Sequence, residues 1–231
     1  MLRRFEAYTF DPRTSPAVRG RLRQACLDSS RFIPEVCHAA IGVDVSGADV
    51  DLVWEHAFPS VAAYRRYMVH PYHAAVLDRY LLADSPERVV VDSPLGLGLA
   101  GYPTASPDYF LSGGIRRLVF LDMRRAGSAE IDAVARLSAS AASAVSAEVS
   151  VFAPNTLASS WFDGVTALGT GPRWSHLWEQ GFRDDAALRL HLEGGGEPGG
   201  EEGGWEDRPG VAAALAISYR IQPGWGYASP A

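Results

Sequence analysis

The sequence predicts an α+β protein made of two ferredoxin-like repeats. Three observations lead there. The first 92 residues read β-α-β-β-α-β, the order of that unit, and the order returns after residue 114. Trp54, Glu55, Phe58, Ala62, Ala63 and Arg65 also recur at the same spacing as Trp178, Glu179, Phe182, Ala186, Ala187 and Arg189, the mark of a tandem duplication. At 231 residues the chain holds two units, each near the ~100–150 residues at which domains commonly form a core.

The first repeat is assigned to residues 1–92. Phe5–Phe10 reads as a strand. Ser15–Arg31 reads as a helix, with Pro16 in its first turn and Val18, Leu22, Cys26 and Leu27 near helical spacing; Ile33–Pro34 ends it. Val36–Val45 and Val50–Ala57 form two strands joined through Gly47–Asp49. Pro59–Val69 is helical again until His70–Pro71, because proline disfavours helical geometry in the residue before it. A short helix from Pro71 to about Leu82 and a strand at Arg88–Asp92 complete the unit. Residues 93–113, rich in Gly, Pro and Ser, read as a linker.

The second repeat, residues 114–222, runs through strand Arg116–Met123, helix Ser128–Val145 and strand Glu148–Phe152. After an irregular Pro154–Gly171 insert come strand Trp174–Gln180, helix Arg183–His191 and strand Val211–Ile221. A tail, 223–231, follows. The copies differ after the shared run: Tyr67 is followed by MVHPYHAAVLDRYLL, whereas His191 is followed by a Gly- and Glu-rich stretch, 193–209, that reads as a surface loop. One histidine-bearing pocket in the first half and a vestigial one in the second are expected.

Composition removes several chemistries. The chain has no lysine, so all 21 basic residues are arginine, and Schiff-base, pyridoxal phosphate and Walker-type chemistry, which need a lysine amine, are excluded. A formal charge of -6 gives no field for nucleic acid or an anionic membrane. Cys26 and Cys37 form no CxxC pair. The N-terminal MLRRFEAYTF has no apolar run of the secretory or membrane type, so a cytoplasmic protein with a small-molecule partner is expected.

Ile33–Pro34, Gly42, the run Glu55–Phe58 and above all Tyr67-x-x-His70-Pro71-x-His73 resemble the stress-responsive A/B barrel (Dabb) family, and within it a plant polyketide-cyclase branch, over about Ile33 to Asp92. The resemblance implies that two four-stranded sheets close into a barrel with helices outside. Two fused copies would then form an intramolecular dimeric α+β barrel in one chain, its halves packed sheet to sheet. A single continuous sheet, or halves that do not touch, would make the duplication argument fail.

The resemblance further implies that Tyr67 and His73 face one pocket, with His73 as general base and no cofactor. The residue types suit that chemistry: imidazole, with a pKa near ~6.5, can take a proton from between two carbonyls, and a phenol can donate to the enolate formed. His70, His56, Tyr72 and Trp54 are the further substrate-binding candidates. His70 suits a turn-fixing hydrogen bond as well as a pocket role. Glu55 and His56 alternate on a strand, so one faces the barrel interior and the other the helices; His56 joins the pocket if it points inward. Tyr72 stands where the cyclase branch has a small residue and is expected to reshape the pocket. Trp54 is either core or an aromatic wall. The branch carries histidines on the first strand and at the start of the third, where this chain has Phe5–Phe10 and Leu52, so a more apolar pocket is expected there. His70-x-x-His73 lacks a third ligand, and no metal is expected. Three functions fit: a cofactor-independent cyclase, or related lyase or isomerase, acting on a polyketide or poly-carbonyl intermediate; a cofactor-free monooxygenase acting on an aromatic; and a non-catalytic binding or stress-response barrel.

Overall fold

A computed structural model describes residues 1–48, 50–82, 85–89, 97–103, 114–144, 147–156, 174–194 and 204–223. The first half contains β1 (Leu2–Tyr8), α1 (Pro16–Phe32), β2 (His38–Asp44), β3 (Leu52–Phe58) and α2 (Val61–Met68). A π-helical segment (His73–Leu77) then runs into α3 (Asp78–Leu81), and β4 (Leu97–Pro103) closes the half. The second half contains β5 (Ile115–Asp122), α4 (Ser128–Ala144), β6 (Val149–Pro154), β7 (His176–Phe182), α5 (Asp185–Glu193) and β8 (Ala213–Pro223). Local chemistry fixes the helix starts. Ser15, Ser60 and Asp184 each accept a backbone N–H three residues on, which satisfies a donor that a helix N-terminus leaves open.

All eight strands form one antiparallel sheet in the order β4-β1-β3-β2-β8-β5-β7-β6. Two separate sheets stacked face to face do not form. The cause is β8, 11 residues long: its start pairs with β5 and its end runs on to pair with β2, from Ala40 opposite Pro223 to Asp44 opposite Tyr219. Cα atoms of β4 also come within 8 Å of β6 and β7, so the sheet curls back on itself and the α+β barrel is closed by a single chain. This continuous sheet is the outcome that the sequence reading set against a duplication, and the expectation of two sheets packed face to face is corrected. The registers match across the halves: Arg3 lies opposite Tyr102 and Ala57 as Arg116 lies opposite Tyr219 and Gly181, and Arg4 faces His56 as Arg117 faces Gln180.

The strand expected at Arg88–Asp92 is not the fourth strand. Arg88 and Val89 are non-regular, residues 90–92 lie outside the described residues, and β4 occupies Leu97–Pro103, within the stretch read as a linker. Glycine and proline concealed it. Both are tolerated on an edge strand, which β4 is, with Pro103 at its last position. Val89 instead closes a loop into the core, its N–H donating to Tyr80 and its carbonyl accepting from Asp11. Residues 195–203 of the Gly/Glu-rich stretch, residues 157–171 of the insert and 224–231 of the tail also lie outside the described residues.

Alternation along the strands divides the core into layers. Leu2, Tyr8, Leu52, Trp54 and Phe58 pack against α1, α2 and the π segment; Phe5, Ala7, Ala40, Val53, Leu118, Phe120, Leu177, Ile217 and Tyr219 fill the barrel. One end of that interior is ionic and fully buried. Arg3 donates to Glu179 at 2.6 Å and to Glu55 at 3.1 Å, Arg116 approaches Glu179 at 3.8 Å, and Glu55 also meets His38 at 3.2 Å and the Tyr219 hydroxyl at 2.9 Å. Burial would push the Glu55 carboxyl upward, but His38, Arg3 and Arg116 outweigh it and hold it well below the usual carboxylate range.

Candidate functional site

The site is built on the opposite, helix-facing side of β1 and β3. Arg3, Phe5 and Ala7 point into the barrel, so Arg4, Glu6 and Tyr8 point toward the helices. All three are buried. Arg4 Nη2 lies 2.6 Å from Glu6 Oε1, the Tyr8 hydroxyl donates to Glu6 Oε2, and Arg4 Nη1 donates to the Tyr67 hydroxyl oxygen at 3.2 Å. The apolar pocket expected at the first strand is therefore corrected: two charges stand there. Reading the strand from Phe5 left Arg4 outside it, whereas pairing begins at Leu2. Burial pushes the Glu6 carboxyl up against the pull of Arg4, and the Tyr8 and Tyr67 phenols well above their usual range.

Tyr67 reaches the site because α2 places Ala63, Tyr64 and Tyr67 on its buried face. His73 follows the Pro71 break, which turns it back beneath Tyr67: the rings meet edge to face with centroids 4.4 Å apart. His56 completes the group, 5.6 Å from Tyr67 and 3.7 Å from Trp54. It faces the helices while Glu55 faces the barrel, so it joins Tyr67 by pointing away from the interior, opposite to the expected condition. Both ring nitrogens of His56 are buried with no hydrogen-bond partner, as is Nδ1 of His73. An imidazole always carries a donor or acceptor at each nitrogen, and burying such groups unpaired is costly.

Burial lowers both histidines. His56 falls well below its ordinary value, and His73 is lowered to about 3, against an opposing hydrogen bond that its ring N–H donates to the Met68 backbone. Both are neutral at pH 7. Asp78, which the sequence reading passed over, lies with Oδ2 3.5 Å from His73 Nδ1. Its carboxyl is pushed up to about 6 by burial and by Glu6. The π segment explains the oversight: the Asp78 N–H donates to the His73 carbonyl, an i to i+5 bond, and that step brings together residues that the 3.6-residue period separates.

The remaining candidates divide. Trp54 is buried beside His56, its indole N–H unpartnered. His70 accepts the Tyr72 backbone N–H at 3.1 Å through Nδ1, which fixes the turn. Tyr72 donates its hydroxyl to the Ala25 carbonyl at 3.1 Å and stacks on Phe32 at 4.9 Å, so it packs α1 against the turn. In the second half Gln180 and His191 stand at the positions of His56 and Tyr67, bonded to each other at 2.9 Å, and Val119 and Leu121 replace Glu6 and Tyr8. Among the described residues no cluster of His, Cys, Asp and Glu fit to hold a metal occurs, and no helix is long and apolar enough to cross a membrane.

The sequence model of the stress responsive A/B barrel domain matches residues 2–95. Residues 2–95, 94 of the 231, are thus similar to this family. The family match ends at residue 95, and no curated protein sequence matches the chain. Among solved structures, an anthrone oxidase-like protein superposes with a TM-score of 0.58 at 11% identity, over 100% of this chain and 96% of its own. A chlorite dismutase variant from Candidatus Nitrospira defluvii superposes with a TM-score of 0.52 at 6% identity, over 96% and 92%. A proposed monooxygenase from Fusobacterium nucleatum gives 0.50 at 6% identity, over 96% and 93%. At such identities the likeness is one of fold, and it extends the A/B barrel architecture over both halves.

Proposed function

We propose that the protein is a cofactor-free enzyme that enolises a small carbonyl compound, with a polyketide or poly-carbonyl intermediate as the substrate class and ring closure of cyclase, lyase or isomerase type as the outcome. The observation that carries the reading is the Tyr67–His73 pair, ring to ring at 4.4 Å in a buried setting with His73 Nδ1 unpartnered. His73 takes the proton from a carbon flanked by carbonyls, the C–H electron pair moves onto the carbonyl oxygen, and the Tyr67 O–H donates to that oxygen. A conjugate acid lowered to about 3 makes His73 alone a weak base. Asp78, at 3.5 Å and partly exposed, supplies the counter-charge and an exit for the proton.

Acid–base assistance of this kind contributes ~10²–10⁴ in rate. The test is turnover of a panel of linear poly-β-carbonyl thioesters: His73→Ala is expected to lose most turnover while still binding, and Tyr67→Phe to lose turnover with the fold intact. Equal turnover with Ala at position 73 would reduce the site to a binding cavity. Oxygen uptake coupled to turnover would move the reading to a cofactor-free monooxygenase, which begins with the same loss of a proton; monooxygenase activity is proposed for the Fusobacterium neighbour.

A further inference from the structure

We propose that Arg4, held by Glu6 and Tyr8, is a positioning residue that makes the Tyr67 site selective for oxyanions, so that ligands bind as enolates or phenolates rather than as neutral enols or phenols. The inference rests on the assignment of Tyr67 as the group facing the ligand. Arginine has donors and no acceptor, so in the 3.2 Å contact between Arg4 Nη1 and Tyr67 Oη the phenol oxygen must accept. The Tyr67 proton is then committed elsewhere, and among the described residues no acceptor for it is in place. Arg4 Nε–H is a second donor in the same position, buried and without a hydrogen-bond partner.

The groups that set the charge come from every element packed on Tyr67. Arg4, Glu6 and Tyr8 lie on β1, and Cys26 on α1 is a buried thiol that burial pushes up and keeps neutral. His56 on β3 is neutral, and Tyr64 on α2 is a neutral phenol pushed up by burial, with the Arg4 guanidinium over its ring at 5.4 Å. His73 is neutral, and Asp78 stands at the partly exposed edge. Arg4 is therefore the cation against Tyr67, and it stays charged because Glu6 and the neighbouring phenols outweigh its desolvation. Glu6, 2.6 Å from the far Nη, fixes the fork so that the other Nη meets Tyr67. The second half has Arg117 at the matching register but Val119 and Leu121 in place of Glu6 and Tyr8. The device belongs to one half.

The probe is acetylacetone, whose enol and enolate have distinct ultraviolet absorbance, titrated against pH with and without saturating protein. Wild-type protein is expected to lower the pH at which the bound probe ionises by about one to three units, the effect of an opposite charge at close range. Because Arg4→Gln alone leaves Glu6 buried and unpaired, the charge-neutral pair Arg4→Gln with Glu6→Gln is the main variant, and it is expected to abolish the shift; Arg4→Lys restores it in part. Wild-type protein that leaves the ionisation unmoved, or a charge-neutral variant that moves it equally, overturns the proposal. His73→Ala separates the two readings. If it keeps both the shift and full turnover of the thioesters, the base assignment fails and the oxyanion device stands; if turnover falls while the charge-neutral pair keeps the shift, the device fails and the base stands.

Discussion

At the scale of single residues, the site is a set of neutral imidazoles and phenols around one ion pair, and its acid behaviour follows from that. His73 binds its proton near pH 3 when folded and near ~6.5 when unfolded, so between those values the unfolded chain holds more protons and stability rises with pH. His56, also lowered by burial, acts in the same direction. Asp78 runs the other way between its ordinary value and about 6, because a raised carboxyl favours the folded state only while protonated. Each histidine contributes a slope of at most about 1.4 kcal/mol per pH unit. His73→Gln should therefore flatten the rise of the urea midpoint between pH 4 and about 6.5; a curve parallel to wild type would show that His73 is not held neutral. In turnover, kcat/KM should rise through about 6 as Asp78 ionises, and Asp78→Asn should remove that limb and lower the plateau. Tyr67 and His73 were legible because their spacing is a motif. Arg4, Glu6 and Asp78 were not: Arg4 sits where the strand was begun late, Glu6 lay inside the strand with its face unset until the register with β3 is known, and Asp78 sits at a π spacing that helical periodicity hides.

At the scale of elements, strand and helix order was read nearly whole, since alternation and capping are local signals. The exception is β4, whose Leu97–Pro103 sequence, LGLAGYP, has the composition of a turn and is held by pairing with a distant β1, from Tyr8 opposite Leu97 to Leu2 opposite Pro103. Distant partners leave no periodic trace. The β2–β8 seam has a similar hidden requirement at Gly42: a Cβ there would lie 1.9 Å from the Tyr219 ring. Gly42→Ala must push that ring, and with it the hydroxyl bonded to Glu55. A loss of about 1–3 kcal/mol is expected, as for other overpacked cores, measured by urea unfolding and accompanied by faster amide exchange in β2 and β8. Unchanged exchange in both strands would mean that the seam accommodates the methyl.

At the scale of the whole molecule, the halves are bound by the shared sheet and by one ionic cluster inside it. Arg3 bonds Glu55 of its own half and Glu179 of the other. Replacing it removes the shared cation from two buried carboxylates, and breaking a buried pair in this way costs about 3–5 kcal/mol. Arg3→Met should thus lower stability by that order and uncouple the halves. Unfolding followed by tryptophan fluorescence and by far-ultraviolet circular dichroism should coincide in the wild type and separate in the variant. Coincident, unshifted curves would mean that the sheet alone couples them. The repeat itself was visible in the sequence, but which side of the sheet holds the site was not, because Glu55 and His56 are equally placed to face either way until the register with β1 is set.

The ionic cluster is also where the two halves differ. Arg3 spans two carboxylates, Arg116 approaches one at 3.8 Å, and the register position of His38 is taken in the other half by Val149. In a dimer of identical subunits every mutation is expressed twice, and a residue near the axis must tolerate its own duplicate across it. A fused gene removes that restriction. Each pair of matching positions in one chain is two loci that mutate separately, so the Gln180–His191 bond and the His56–Tyr67 contact can differ. Selection then acts on the pocket and on the scaffold as distinct hereditary units within one reading frame.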